Sequence, residues 1–233
     1  MQFLVIGATG YVGRNVVSQA VRAGHDVVAH VRPASATGDR AAAELVSDGA
    51  RVIRTPWTPE AWYRYLEANP PDRVFLLLGT TAVKARAAAR SGGADASQAT
   101  IDLGLTMLAI GTTRTASPEA GFVYLSALGA SPTGNEYLRV RATVEAALVS
   151  GQNPFTVVRP SFITGSDRSE SRPGERVGAL AGDAVCAVLR RVGARRRAAK
   201  LASITGPALA KILIELAAGP LDRRVHELDA FRR

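Results

Sequence analysis

The sequence predicts an α/β protein with a doubly wound parallel sheet. Three observations lead there. Short runs rich in apolar and β-branched residues recur along the chain, amphipathic segments of helical length separate them, and a glycine-punctuated turn joins the first run to the first such segment. Strands that alternate with helices pair in parallel, because a helical crossover returns the chain to the same end of the sheet.

The elements follow in order. QFLVIG forms the first strand, and a helix from about Tyr11 to Ala23 follows it. DVVAHV is the second strand, with a helix around Arg40 to Ser47 behind it. ARVIR and WTPEAWYRYLEA give the third strand and helix. DRVFLLLG is apolar almost without a break, the pattern of a strand buried on both faces. A helix from about Ala96 to Thr112 leads to GFVYLSA, a helix carrying Tyr137 follows, and FTVVRP is the sixth strand. Beyond Pro160 the pattern loosens. GSDRSESRPGE reads as a loop, and two helices are expected, one from Glu175 to Arg191 and one over GPALAKILIELAA. These segments are expected to form a small lobe over the strand ends, chiefly residues 160–205, within one domain spanning 1–233. No solenoid-type repeat is present.

Composition narrows the function classes. The chain has 233 residues, 47% of them hydrophobic, enough for one compact domain with a substantial core. No basic stretch and long apolar run open the sequence as a signal peptide would, and no apolar run reaches the ~18 residues of a membrane helix. Cys186 is the only cysteine, which excludes an intrachain disulfide and fits a reducing, cytoplasmic setting. His25, His30 and His226 lack metal-ligand spacing. The formal charge of +9 suits solubility or an anionic small molecule. RRVGARRRAAK, residues 190–200, concentrates six basic residues, but no interleaved aromatics or nucleic-acid motif accompany it, so it reads as a solvated helix end. The partner expected is a small-molecule substrate rather than nucleic acid or membrane.

Two local patterns carry chemistry. IGATGYVGRNVV sets Gly7, Gly10 and Gly13 between the first strand and the first helix. A pyrophosphate approaching that backbone leaves no room for a Cβ, and the amides of Thr9, Gly10, Tyr11, Val12 and Gly13 at the helix start are free to bind its oxygens. The second pattern is NEYLRVRATVE. Tyr137 and Arg141 lie four residues apart on one helix face, and a fixed cation beside a phenol stabilises the phenolate, which makes the tyrosine a candidate proton donor.

The glycine spacing is G-x-x-G-x-x-G. LLGTT (77–81), YLSALGAS (124–131), NEYLRVRATVEAAL (135–148), VVRPSFITG (157–165) and DRSESRPGE (167–175) follow it in that order. Together these segments resemble the atypical short-chain dehydrogenase/reductases and the wider NAD(P)H-binding, NmrA-like set. The resemblance implies a Rossmann fold. It implies that Tyr137 is the acid/base of a Tyr-x-x-x-Lys pair, with Arg141 in the lysine's place; the exchange keeps the charge but replaces a compact ammonium by a planar fork. It places Gly79 and Thr80 beside the cofactor, and Pro160, Ser161, Phe162 and Ile163 along the nicotinamide. Ser126 is either the serine that holds a substrate oxygen or a strand-end residue bonding backbone, and Arg159 reads as structural. Where relatives place an acid after the third strand this chain has Thr55, Pro56 and Trp57, the tryptophan covering the core or stacking on adenine.

After the second strand stands Arg32, with no acid until Asp39, which suits the 2′-phosphate of NADP(H) better than the free ribose hydroxyls of NAD. The function expected is NADP(H)-dependent oxidation or reduction of a carbonyl or alcohol. The alternative is a non-catalytic NADP(H) sensor.

Overall fold

A computed structural model of the chain describes residues 1–33, 36–79, 98–165 and 203–228. Its elements are β1 (Gln2–Ile6), α1 (Tyr11–Arg22), β2 (Asp26–His30), α2 (Ala36–Ser47), β3 (Arg51–Ile53), α3 (Pro59–Ala68), β4 (Arg73–Leu76), α4 (Gln98–Ala116), β5 (Gly121–Leu125), α5 (Glu136–Ser150), β6 (Phe155–Arg159), β7 (Ile163–Thr164), β8 (Ile204–Thr205), α6 (Gly206–Ala218) and β9 (Arg224–Glu227).

Seven strands form one sheet in the order β3-β2-β1-β4-β5-β6-β9, and every neighbouring pair is parallel. This is the Rossmann arrangement. Each strand sends alternate side chains to opposite faces, so β1 divides cleanly. Phe3 and Val5 pack with Val16 and Val17 of α1, Leu45 of α2 and Leu209 and Leu213 of α6. Leu4 and Ile6 pack with Trp62 of α3, Ile110 of α4 and Val144 and Leu148 of α5. Chain order reverses direction between β1 and β4, and in open α/β sheets a ligand binds outside the carboxyl ends of the strands at such a switch.

Two expectations change. The GPALAKILIELAA helix was grouped with the lobe, but α6 is part of the main layer: Leu209, Ala210, Leu213 and Ala217 are fully buried in the core shared with α1. A seventh strand, β9, was not foreseen. The helix expected over 175–191, the basic run at 190–200 and Thr80 lie outside the described residues. No helix among the described residues is long and apolar enough to cross a membrane.

Candidate functional site

The first corner of the site is the turn between β1 and α1. Gly7 has φ +90°, a left-handed conformation that strains any side chain, and a Cβ there would stand 2.7 Å from the Leu77 carbonyl carbon. Gly13 faces the turn itself: its Cβ would come within 2.1 Å of Gly7 O. The protein's own packing therefore demands glycine at both positions. Gly10 differs. It is exposed, and its Cβ would meet only Gly7 O, at 3.3 Å. Packing presses on a side chain there far less than at Gly7 or Gly13, and a phosphate resting on the turn would add a second reason for glycine.

The capping pattern agrees. A side-chain oxygen caps α3 (Thr58), α5 (Asn135) and α6 (Thr205), but Gly10 at the N-cap of α1 offers none. No side chain therefore competes with an anion at the start of α1, although the Gly10 amide, expected to be free, donates to Gly7 O at 3.1 Å within the turn. The side chain of Tyr11 turns away from this role. Its ring fills the space over Gly165 and Gly206, and its hydroxyl donates to Thr164 O at 3.2 Å, joining the turn to β7 and the start of α6.

At the carboxyl end of β2, Arg32 is exposed and has no acidic partner among the described residues. Asp39, the next acid along the chain, is engaged by Arg54 at 2.5 Å. His30 is buried beneath this corner. Its Nε2 lies 2.9 Å from Thr55 O, Trp57 meets it edge-on and Trp62 stacks on Trp57. Burial holds the His30 imidazole below its ordinary pKa. Trp57 thus packs against the core, one of the two roles weighed for it from sequence.

The third corner is α5. Tyr137 is 41% exposed, and the Arg141 guanidinium carbon sits 5.0 Å from its ring centroid. Arg141 itself is buried. Its Nη1 donates to Leu78 O (2.9 Å), Leu125 O (3.1 Å) and Tyr124 Oη (3.2 Å), bridging the ends of β4 and β5. Its Nε has no hydrogen-bond partner. Burial penalises the charge, but the Tyr124 and Tyr137 phenols more than offset this and hold Arg141 above its usual pKa. Tyr124 is buried below the guanidinium, and desolvation pushes its phenol up although Arg141 pulls it down.

Ser126 is buried, and its hydroxyl donates to Glu145 Oε1 at 2.5 Å. Glu145, also buried, forms a two-point ion pair with Arg159: Nε to Oε1 at 2.9 Å and Nη2 to Oε2 at 2.5 Å. Ser126 is thus engaged within the protein, but by the Glu145 carboxylate and not by the backbone expected of a strand-end serine. Arg159 is structural, as read from sequence. Pro160 O accepts from Leu128 N at 2.8 Å, Phe162 is 41% exposed and Ile163 lies in β7. Gly79 is exposed beside Arg141 at the end of β4.

Sequence reasoning missed Tyr124 and Glu145. Glu145 had a legible signal: residues 137, 141 and 145 are spaced four apart and share one face of a helix. The pairing of Tyr124 with Arg141 depends on two separate elements meeting and had none.

A family profile described as NAD(P)H-binding matches residues 7–186, from the first glycine of the turn to beyond β7. The chain belongs to this NAD(P)H-binding family. The resemblance to atypical short-chain reductases read from the motifs is in keeping with that membership. No curated protein matches the chain.

Solved structures share the fold of this NAD(P)H-binding protein at low identity. A putative NAD-dependent epimerase/dehydratase from Bacillus halodurans is 20% identical, with 93% of this chain and 87% of that one covered and a TM-score of 0.62. A FabI–NADH complex from Alistipes finegoldii is 14% identical over 97% and 86% of the two chains, with a TM-score of 0.67. A wide-type short-chain dehydrogenase/reductase from Veillonella parvula, in complex with NADP, is 10% identical over 96% and 92%, with a TM-score of 0.59. Of these, one is a complex with NADH and one with NADP.

Proposed function

We propose that this chain is an NADP(H)-dependent oxidoreductase acting on a small carbonyl or alcohol in the cytoplasm, as one domain over 1–233 with residues 160–205 on the substrate side. The observation that carries the reading is the exposed Tyr137 phenol over the buried Arg141 cation, at the strand ends reached from the glycine turn.

The residues present fit a dinucleotide. Gly10 is exposed at the turn, no side chain caps α1, and Arg32 is exposed where a 2′-phosphate would lie. Gly79 is exposed at the end of β4, with the Arg141 guanidinium in the space a side chain there would take, and the backbone from Pro160 to Ile163 borders the same end of the sheet. When bound, the nicotinamide supplies or accepts a hydride.

The protein's own residues handle the proton. Tyr137 Oη donates it to the substrate oxygen in reduction and removes it in oxidation. Arg141, fixed by three acceptors, holds a positive charge under the ring and stabilises the phenolate left behind. Its Nη1 serves the backbone at β4 and β5, so in this reading Arg141 acts through charge and not through a ribose grip. For Ser126 to hold a substrate oxygen, its hydroxyl would first have to leave Glu145.

A second reading, a non-catalytic NADP(H) sensor, draws on one observation: the Ser126 hydroxyl and the Arg141 Nη1 are both engaged inside the protein. A panel of aldehydes, ketones and quinones assayed with NADPH separates the two. Turnover that falls roughly 10²–10⁴-fold in Tyr137→Phe, with NADPH affinity kept, is the enzyme's result. Tight NADPH binding without turnover of any panel compound is the sensor's. Full activity in Tyr137→Phe would place the proton donor elsewhere.

A further inference from the structure

Tyr137, Arg141 and Glu145 form a stripe along two turns of α5. Four residues of this helix are buried, Arg141, Val144, Glu145 and Leu148, and two of the four are charged. Directional contacts therefore set the rotation and height of α5 as much as apolar packing does. Arg141 bonds to the backbone at the ends of β4 and β5, while Glu145 takes the Ser126 hydroxyl just past β5 and the Arg159 fork at the end of β6. The helix is tied to three adjacent strands.

The Glu145 carboxylate is buried and the Arg159 side chain is 24% exposed, and an ion pair taken partly out of water is a poor choice for stability alone. Apolar residues of similar volume often do as well or better, whereas losing one partner leaves a buried charge uncompensated. What a two-point carboxylate–guanidinium contact adds is fixed geometry.

We infer that Glu145, held by Ser126 and Arg159, is a positioning residue for Tyr137. It acts through α5, and the inference rests on the reading of Tyr137 as the proton donor. Glu145 lies eight residues from Tyr137, about 12 Å along the axis, so it touches neither phenol nor substrate. Tyr137 is 41% exposed, so its place depends on the helix that carries it and on the guanidinium under its ring. A shift of about 1 Å at a reacting group can change a rate by roughly 10²-fold, which makes the seating of α5 matter to the chemistry.

The test uses the full chain labelled with ¹³Cζ-tyrosine. The sequence has five tyrosines, and Tyr137→Phe identifies the line of interest. In a Glu145→Leu/Arg159→Met double variant the expected result is a melting temperature close to wild type and a Tyr137 line displaced by more than its width, because the phenol has moved relative to the Arg141 charge. A folded double variant with the Tyr137 line at its wild-type position overturns the inference, since a pair that only supports the fold leaves that line alone. If the double variant does not fold, Glu145→Gln, which keeps the size of the side chain, is read in the same way. The functional reading is tested separately. Full turnover of a panel carbonyl by Tyr137→Phe removes the proton-donor role and leaves the resonance result standing.

Discussion

Arg141 occupies the space that a side chain on Gly79 would need: a Cβ built on Gly79 would stand 2.2 Å from Arg141 Nη2. The end of a flexible side chain would usually swing clear, but this guanidinium is buried and holds Leu78 O, Leu125 O and Tyr124 Oη. Gly79→Ala should therefore cost about 1–3 kcal/mol of stability, the range for forcing extra volume into a packed site. Urea unfolding measures it, and an unchanged midpoint would mean that Arg141 gives way freely.

The same contacts bear on the exchange of arginine for lysine. Lysine keeps the charge but cannot reproduce the fork. Arg141→Lys should lower stability by roughly 1–3 kcal/mol, as buried acceptors lose donors, and Arg141→Ala should lower it further. Scanning calorimetry of the two variants should rank them in that order. A lysine variant as stable as wild type would show that an ammonium can serve these carbonyls.

Gly10 and Gly13 should respond differently to the same change. Gly13→Ala meets backbone at 2.1 and 2.9 Å and should destabilise the fold by about 1–3 kcal/mol or more. Gly10→Ala meets only Gly7 O at 3.3 Å, so the protein should fold while binding of NADPH weakens. Isothermal calorimetry on the folded Gly10→Ala protein checks this; wild-type affinity there would remove the turn from the cofactor site.

Arg32→Ala should weaken NADPH binding roughly 10- to 100-fold, the equivalent of one charge-assisted contact of about 1.5–3 kcal/mol, and leave NADH binding nearly unchanged. Titrating both cofactors against wild type and variant gives the comparison. Equal losses for the two would detach Arg32 from the 2′-phosphate.

His30 supplies a pH dependence with a definite sign. Burial lowers its pKa in the folded protein below the ordinary imidazole value of 6.5. As pH falls, the unfolded chain binds the proton first, so stability is full above about 6.5 and declines as pH drops from there toward the folded value. Denaturant unfolding at about pH 7.5 and about pH 5.5 should show a loss in wild type and a smaller loss in His30→Gln. His25, stacked on Phe3 and also lowered, works in the same direction and accounts for part of the remainder. Identical losses in the two proteins would mean that His30 is not the group responsible.

Much of the scaffold was legible because its signals are local. β5 reads GFVYL, and all five residues are buried; β1 and β4 have the same near-continuous apolar character, so their strand identity does not depend on knowing the neighbours. The glycine turn was legible for a similar reason, since strand, turn and helix start are contiguous in the chain. β9 was not. Arg224–Glu227 reads RVHE, with two exposed and two half-buried residues, and it becomes a strand by pairing with Thr156–Arg159 of β6.

The site divides the same way. The sequence by itself determined that Tyr137 and Arg141 share a helix face and that glycines open the turn after β1, because both follow from spacing within one element. Whether Arg141 would point to a ligand or into the protein, and whether Ser126 would be free, only the tertiary structure decided. Those outcomes depend on which backbone carbonyls end beside the guanidinium and on Glu145 and Arg159 arriving from α5 and β6. A buried polar group takes whatever partner the fold brings within hydrogen-bonding distance, and such partners lie 14 to 63 residues away along this chain.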